Sequence, residues 1–341
     1  MTSSTTPRRI LILGGTSWLG GAMARIARDS GHDVTCLARG ESGQVPDGVR
    51  LLPADRWKEG AYDAVADQGW DAVLDVSRQP EQVRSALAAL AGRTTHWVYV
   101  SSVSAYRDHS AVGSTQTHEP WAGTGAASEE DYGPAKVACE DACAEALPAD
   151  RLLVARAGLI VGYGDRSDRF GYWPARLDAA DSPDTAVLVP PLATPVQVVD
   201  VEDLAGWLVS AATAGTAGTF DAVGEVITLE DVLAVSCDAT GQRPTLCVAD
   251  QEWLLTHDVE AWAGPDSLPL WLPLPEYAAM ATHPNEPATR AGLTLRPLRE
   301  TAAAALAWER EQGGLDRSRK AGMSPGRETE LLAALRERPT A

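Results

Sequence analysis

The feature that most constrains this chain is the apolar run Ile10-Leu11-Ile12-Leu13, which ends directly in Gly14-Gly15-Thr16-Ser17-Trp18-Leu19-Gly20. Four consecutive apolar residues with β-branched members read as a buried strand. Residues 19–30 then carry helical spacing, and Gly31 closes the segment as a C-cap. A strand that turns through glycines into a helix leaves the first-turn N–H groups unpaired at the positive end of the helix dipole. That is a seat for an anion such as a pyrophosphate. Gly14 permits the tight turn, and Gly20 lets the helix approach the sheet. A glycine-rich connection without a ligand has the same local pattern, so residues elsewhere must decide.

The rest of the N-terminal half repeats the theme. Apolar runs at 33–37, 49–52, 71–76, 97–100 and 152–155 predict further strands, and 81–90 and 131–147 predict helices. Strands alternating with helices at this interval imply right-handed βαβ units, an α/β chain with a doubly wound parallel Rossmann sheet. Beyond Gly164 the pattern becomes irregular and rich in Pro, Trp and Asp, with a strand at 196–199 and a helix at 204–212. The expected division is a coenzyme domain over 1–164 to which 194–215 returns. A smaller, interleaved C-terminal substrate lobe is expected from 165–193 and 216–315, and a helical tail from 316–341, opened by Ser324-Pro325.

Composition narrows the partners. With 341 residues, 45% hydrophobic and 22% charged, the chain can bury a large core. A net charge of -18 repels polyanions, which argues against nucleic acid and anionic membranes and leaves a small-molecule substrate. The N-terminal stretch before Arg9 is polar and no run approaches the ~20 apolar residues of a membrane span. Five cysteines without paired spacing fit a cytoplasmic protein. Cys139 and Cys143 share a helix face, but no histidine completes a metal site, and no metal is expected. A homodimer remains open.

Two positions turn a binding fold toward chemistry. Tyr132 and Lys136 lie four apart on one helix face, where the lysine charge favours the phenolate and equips Tyr132 to exchange a proton with a substrate oxygen. Ser102 follows the fifth strand in Ser101-Ser102-Val103-Ser104-Ala105-Tyr106. The second strand ends in Ala38-Arg39, where NAD-specific folds place an acid ~20 residues past the glycines. A guanidinium there suits a 2′-phosphate, so NADP(H) is favoured over NAD(H).

The glycine turn, followed in order by Ser102, Tyr132 and Lys136, resembles the extended and atypical short-chain dehydrogenases/reductases, the NAD-dependent epimerase/dehydratase group. Residues 8–215 carry this resemblance well and the C-terminal lobe only in outline. Ser17 replaces the middle glycine, and its hydroxyl is a candidate phosphate ligand. The resemblance implies a catalytic set of Ser102, Tyr132 and Lys136, in which Lys136 also binds the nicotinamide ribose and Ser102 holds the substrate oxygen. Ser101 or Ser104 could share that serine's role. It implies coenzyme contacts at Gly14, Thr16, Ser17, Trp18, Leu19, Gly20, Arg39, Ser77 and Leu159, with Asp55 and Arg56 near the adenine.

In place of the Asp-Glu pair of the sugar-nucleotide dehydratases stands Val103-Ser104, so dehydration by that route is not expected. For the substrate, Ser104, Arg169, Tyr172 and Trp173 are candidates, Arg169 for an anionic group and the aromatics for a ring. Trp262 and Trp271 are candidates for an apolar wall. Asp200 and Asp203 read as structural helix-starting acids. The expectation is an NADPH-dependent oxidoreductase acting on a carbonyl or alcohol. Its rivals are an epimerase, in which the hydride returns to the same substrate, and a non-catalytic coenzyme sensor.

Overall fold

The computed structural model describes residues 6–338. Met1 to Thr5, part of the polar N-terminal stretch, lie outside the described residues.

A seven-stranded, all-parallel sheet organises the N-terminal half. In chain order it contains β1 (Arg9–Leu13), α1 (Trp18–Asp29), β2 (Asp33–Ala38), β3 (Arg50–Pro53), the single turn α2 (Asp63–Ala66), β4 (Trp70–Asp75), α3 (Pro80–Leu90), β5 (Thr94–Ser102), α4 (Tyr132–Ala146) and β6 (Leu152–Ala157). The last strand, β10 (Gly218–Ala222), is numbered with the later elements. The spatial order is β10-β6-β5-β4-β1-β2-β3. The order in which strands are added therefore reverses between β1 and β4, which are themselves parallel, and in such sheets ligands bind in the crevice beyond the carboxyl ends at that switch point. The strands read as continuous apolar runs because both faces are covered. Ile10, Ile12, Cys36 and Leu74 pack on one side with α1, and Leu11, Leu13, Leu37 and Val73 on the other with α3 and α4.

The second lobe is woven from separated pieces: β7 (Leu159–Val161), α5 (Arg169–Asp178), β8 (Ala186–Val189), β9 (Pro195–Asp200), β11 (Val226–Thr228), α7 (Leu229–Thr240), β12 (Thr245–Val248) and α8 (Gln251–Thr256), while α6 (Val201–Ala214) between β9 and β10 belongs to the first core. The short strands β13 (Glu260–Ala261), β14 (Gly264–Pro265) and β15 (Ser267–Leu268) follow, then α9 (Glu286–Arg290), α10 (Leu298–Glu311), β16 (Ala321–Gly322) and α11 (Pro325–Arg336). Its core holds Phe170, Tyr172, Trp173, Trp253 and Trp271. No described helix is long and apolar enough to cross a membrane.

Two expectations about organisation change. Residues 218–222, expected in the second lobe, supply the seventh strand of the main sheet beside β6. Within 194–215 only α6 returns to the coenzyme domain, where it packs on α1. β9 instead joins β7 and β11 in a separate three-stranded sheet. At the C-terminal end Ser324 caps α11, with its side chain accepting the Arg327 N–H. Leu331 and Leu332 enter the second core, and Glu328 forms a buried ion pair with Arg176 at 2.7 Å while accepting the Leu188 N–H.

Candidate active site

The glycine turn opens the crevice. Gly14 has φ +93°, and a Cβ there would come within 2.6 Å of Val76, so the position needs glycine. At Gly20 a Cβ would run into the Gly14 carbonyl and come within 2.8 Å of the Ser17 hydroxyl. Ser17 is the N-cap of α1: its Oγ accepts the Gly20 N–H at 3.2 Å and donates to the Gly14 carbonyl at 2.7 Å. This corrects the expectation that its hydroxyl binds phosphate, and it explains the missing middle glycine. With φ -71° the backbone has no need of one, and a capping oxygen is useful there. Leu19 is also corrected: its side chain lies in the α1 core, leaving only its first-turn amide toward the crevice.

A cavity of about 320 Å³ lies over this turn, lined by Gly14, Thr16, Ser17, Arg39, Asp55 and Ser77 among others. Arg39 is exposed and faces Glu41 at 3.2 Å. Arg56 borders the cavity, but its guanidinium is committed inward. It forks onto Asp75 at 2.8 and 2.7 Å and also donates to Tyr62 Oη and the Gln82 carbonyl, both at 2.9 Å. The expected adenine contact by Arg56 gives way to a buried ion pair that props the crevice floor. Ser77 Oγ donates to Gln82 at 2.8 Å, and its N–H to Asp75 at 2.9 Å.

The residues expected to react are carried by β5 and α4. Lys136, 3% exposed, donates to the carbonyls of Val100 at 2.7 Å and Ser77 at 3.2 Å. These bonds seat the ammonium beneath the crevice, 5.9 Å from the Tyr132 ring centroid and 5.1 Å from that of Tyr99. An ammonium has three N–H groups, and these two carbonyls engage two of them. Tyr132 is the first residue of α4. Asp131, at the N-cap position, does not cap the helix; its carboxylate takes the Ser128 N–H and hydroxyl instead. Ser102 ends β5, and its Oγ accepts the Ser104 N–H at 3.1 Å. Ser101 is turned away onto Glu140, which pairs with Arg156 at 2.7 Å, so it does not share the role of Ser102.

A second cavity of about 640 Å³ adjoins the first where Trp18 follows Ser17 and where Arg78 pairs with Glu129 at 2.6 Å. Ser102, Ser104, Tyr132, Leu159, Arg169 and Trp262 all line it. Trp18 donates to the Tyr163 carbonyl at 2.8 Å, which ties α1 to the loop after β7. Leu270, Leu272 and Met280 supply apolar wall. Tyr172 and Trp173 do not reach the cavity. Both are fully buried in the second core, with Trp173 Nε1 bonded to the Pro269 carbonyl at 2.9 Å, and Trp271 is likewise internal. Only the N-terminal end of α5 faces the cavity. Glu129, Arg166, Gln197 and Lys320 are lining residues that no motif signalled, because each arrives from a separate loop or strand.

The wall formed by residues 270–283 is pinned to the sheet. His283 stacks on Tyr106 at 5.1 Å between ring centroids, and Tyr106 Oη donates to Asp221 at 2.9 Å. Burial pushes the His283 imidazole down to about 4, with His109 and Arg156 adding to the effect, so it packs as a neutral ring.

Against known proteins, this architecture has many solved counterparts. A candidate epimerase from Burkholderia cenocepacia J2315 superposes with a TM-score of 0.63 at 23% identity, covering 90% of this chain and 100% of that one. UDP-glucuronic acid 4-epimerase from Bacillus cereus, solved in complex with NAD, gives 0.61 at 13% identity, with 89% and 99% covered. The chain shares its Rossmann-type α/β fold, built on a parallel central sheet, with these proteins. No family model matches the sequence. One curated relative, the chloroplast stem-loop binding protein of 41 kDa b from Arabidopsis thaliana, is 32% identical over 123 residues, or 30% of this chain. The match spans about a third of that relative's length (32%).

Proposed function

We propose that this chain is an NADP(H)-dependent oxidoreductase that reduces a carbonyl, or oxidises an alcohol, of a small molecule. The observation that carries the reading is the pair Tyr132 and Lys136: a buried ammonium held by two main-chain carbonyls lies 5.9 Å from the ring centroid of Tyr132, which lines the larger cavity. The donors fit a dinucleotide. First-turn amides of α1 would hold its pyrophosphate, and the third Lys136 N–H would donate to its ribose. When bound, the nicotinamide supplies or accepts hydride. Tyr132 transfers the proton at its Oη, Ser102 holds the substrate oxygen, and Lys136 orients the coenzyme ribose. Leu159, Leu270 and Met280 limit water around the reacting carbon.

Arg39 is proposed to bind the 2′-phosphate. It must first turn from Glu41, but both side chains are more than half exposed and such pairs contribute about 0–1 kcal/mol. Arg39→Glu is expected to weaken NADPH binding at least tenfold and NADH binding little, read by fluorescence titration. Equal losses for both would remove this role.

The likeness to solved epimerases favours a second reading, epimerisation through the same residues with hydride returned to the substrate. Stoichiometric loss of NADPH absorbance with substrate supports the oxidoreductase; inversion without net coenzyme change supports the epimerase. Stem-loop binding, named for the Arabidopsis relative, is not proposed, because a net charge of -18 opposes a polyanion.

A further inference from the structure

Buried and half-buried arginines among the described residues have partners for their guanidinium groups: Arg56 has Asp75, Arg156 Glu140, Arg176 Glu328, Arg317 and Arg319 share Glu309, and Arg151 donates to main-chain carbonyls. Arg169 is different. It is half-buried and lines the larger cavity, yet among the described residues its guanidinium makes no hydrogen bond and no ion pair. The acids that could have neutralised it are engaged elsewhere. Asp165 accepts the Ser167 N–H at 2.7 Å and the Ser167 hydroxyl at 3.0 Å. Asp168 takes Arg317 and the Lys320 N–H, and Glu129 pairs with Arg78. Burial lowers the pKa of the Arg169 guanidinium, while Asp165 and Tyr132 act to raise it.

The surrounding backbone is shaped to keep that guanidinium open. Its central carbon lies 4.9 Å from the Trp262 ring centroid, so the indole covers one face and leaves the N–H edge free. Trp262 holds φ +70° inside a three-residue turn closed by the Ala263 N–H onto the Ala261 carbonyl at 2.8 Å, a strained conformation for a bulky residue. Leu270, also on the cavity wall, has φ +67°, and Asp168, which precedes Arg169, has φ +64°. Two of the five non-glycine residues described with positive φ therefore line one cavity and a third adjoins the arginine in sequence, and such strain gathers where a site is held in shape.

We infer that Arg169 binds an oxyanion of the substrate, a carboxylate taken edge-on by the guanidinium fork, so that the compound turned over beside Tyr132 is an oxo acid or hydroxy acid. This rests on the proposed function for the word substrate; the anion site itself does not. An arginine fork matches a planar carboxylate with two parallel N–H···O bonds, and charge-assisted bonds of this kind are stronger than neutral ones. Phosphate shares the chemistry, and Arg166 and Lys320 at the exposed wall could add to it.

The test uses benzoate, benzamide and phenyl phosphate as probes, with binding to the full chain read by saturation-transfer NMR with and without NADPH. Wild type is expected to bind benzoate and to bind benzamide at least tenfold more weakly. Arg169→Gln should weaken benzoate about tenfold to a hundredfold and leave benzamide unchanged. Arg169→Lys, which keeps charge without the fork, should retain phenyl phosphate better than benzoate. Arg93→Gln is the surface control. Equal binding of benzoate and benzamide, or benzoate binding unaffected by Arg169→Gln, overturns the inference, as does a loss confined to phenyl phosphate. NADPH titration of Arg169→Gln should match wild type, which excludes misfolding. If wild type binds no NADPH while benzoate still depends on Arg169, the coenzyme reading fails and the anion site stands.

Discussion

Replacing Tyr132 by phenylalanine is expected to lower turnover by roughly 10²- to 10⁴-fold while leaving coenzyme affinity within about twofold, the range that a positioned general acid or base contributes. The asymmetry follows from where the atoms are. The phenol lines the cavity that holds Ser102 and Arg169, whereas the seat of Lys136 depends on the Val100 and Ser77 carbonyls and not on the tyrosine hydroxyl. Removing the hydroxyl takes away the proton carrier and leaves the ring and the ammonium in place. Single-turnover absorbance at saturating coenzyme, with a parallel binding titration, separates the two effects. A variant that retains wild-type turnover would remove Tyr132 from the chemistry.

The largest stability effect is expected at the crevice floor. Asp75→Ala should cost about 3–5 kcal/mol, because the Arg56 charge then stays buried without its partner. The Arg56 and Asp75 side chains are 8% and 0% exposed, so water cannot replace the lost carboxylate. The Ser77 N–H loses its acceptor as well. In urea unfolding this should appear as a lower midpoint with an unchanged slope. The double variant Arg56→Met, Asp75→Ala should recover part of the loss, since it no longer strands a charge. The exposed Arg39–Glu41 pair provides the contrast: removing Glu41 should change stability by less than about 1 kcal/mol. If Asp75→Ala also falls within that limit, the floor is not built on this ion pair.

Much of the coenzyme half was legible because its signals are local. The run from Ile10 to Leu13 with its glycine turn, the regular alternation of strands and helices, and the Tyr132–Lys136 spacing each lie within a few residues of sequence. What was not legible depends on partners distant along the chain. Asp75 captures Arg56 from 19 positions away, so the arginine that looked available for adenine is internal. Ser17 looked like a phosphate ligand until the Gly20 N–H and Gly14 carbonyl took its hydroxyl. Tyr172 and Trp173 carry the same chemistry in a core as in a pocket, and only the packing of α5 against α7 and α10 turns them inward. Residues 218–222 lack a long apolar run, and the strand exists because the edge of β6 is open to pair with it.

The central claim is that a nicotinamide dinucleotide lies across the glycine turn and reaches Tyr132. Equilibrium titration of the protein with NADPH and NADH, followed by coenzyme fluorescence, tests it most directly, with Gly14→Val as the comparison. The account predicts saturable binding at one coenzyme per chain, tighter for NADPH, and lost in the valine variant, whose side chain would be forced against Val76. Failure of the wild-type protein to bind either coenzyme, or undiminished binding by a correctly folded Gly14→Val variant, would contradict it.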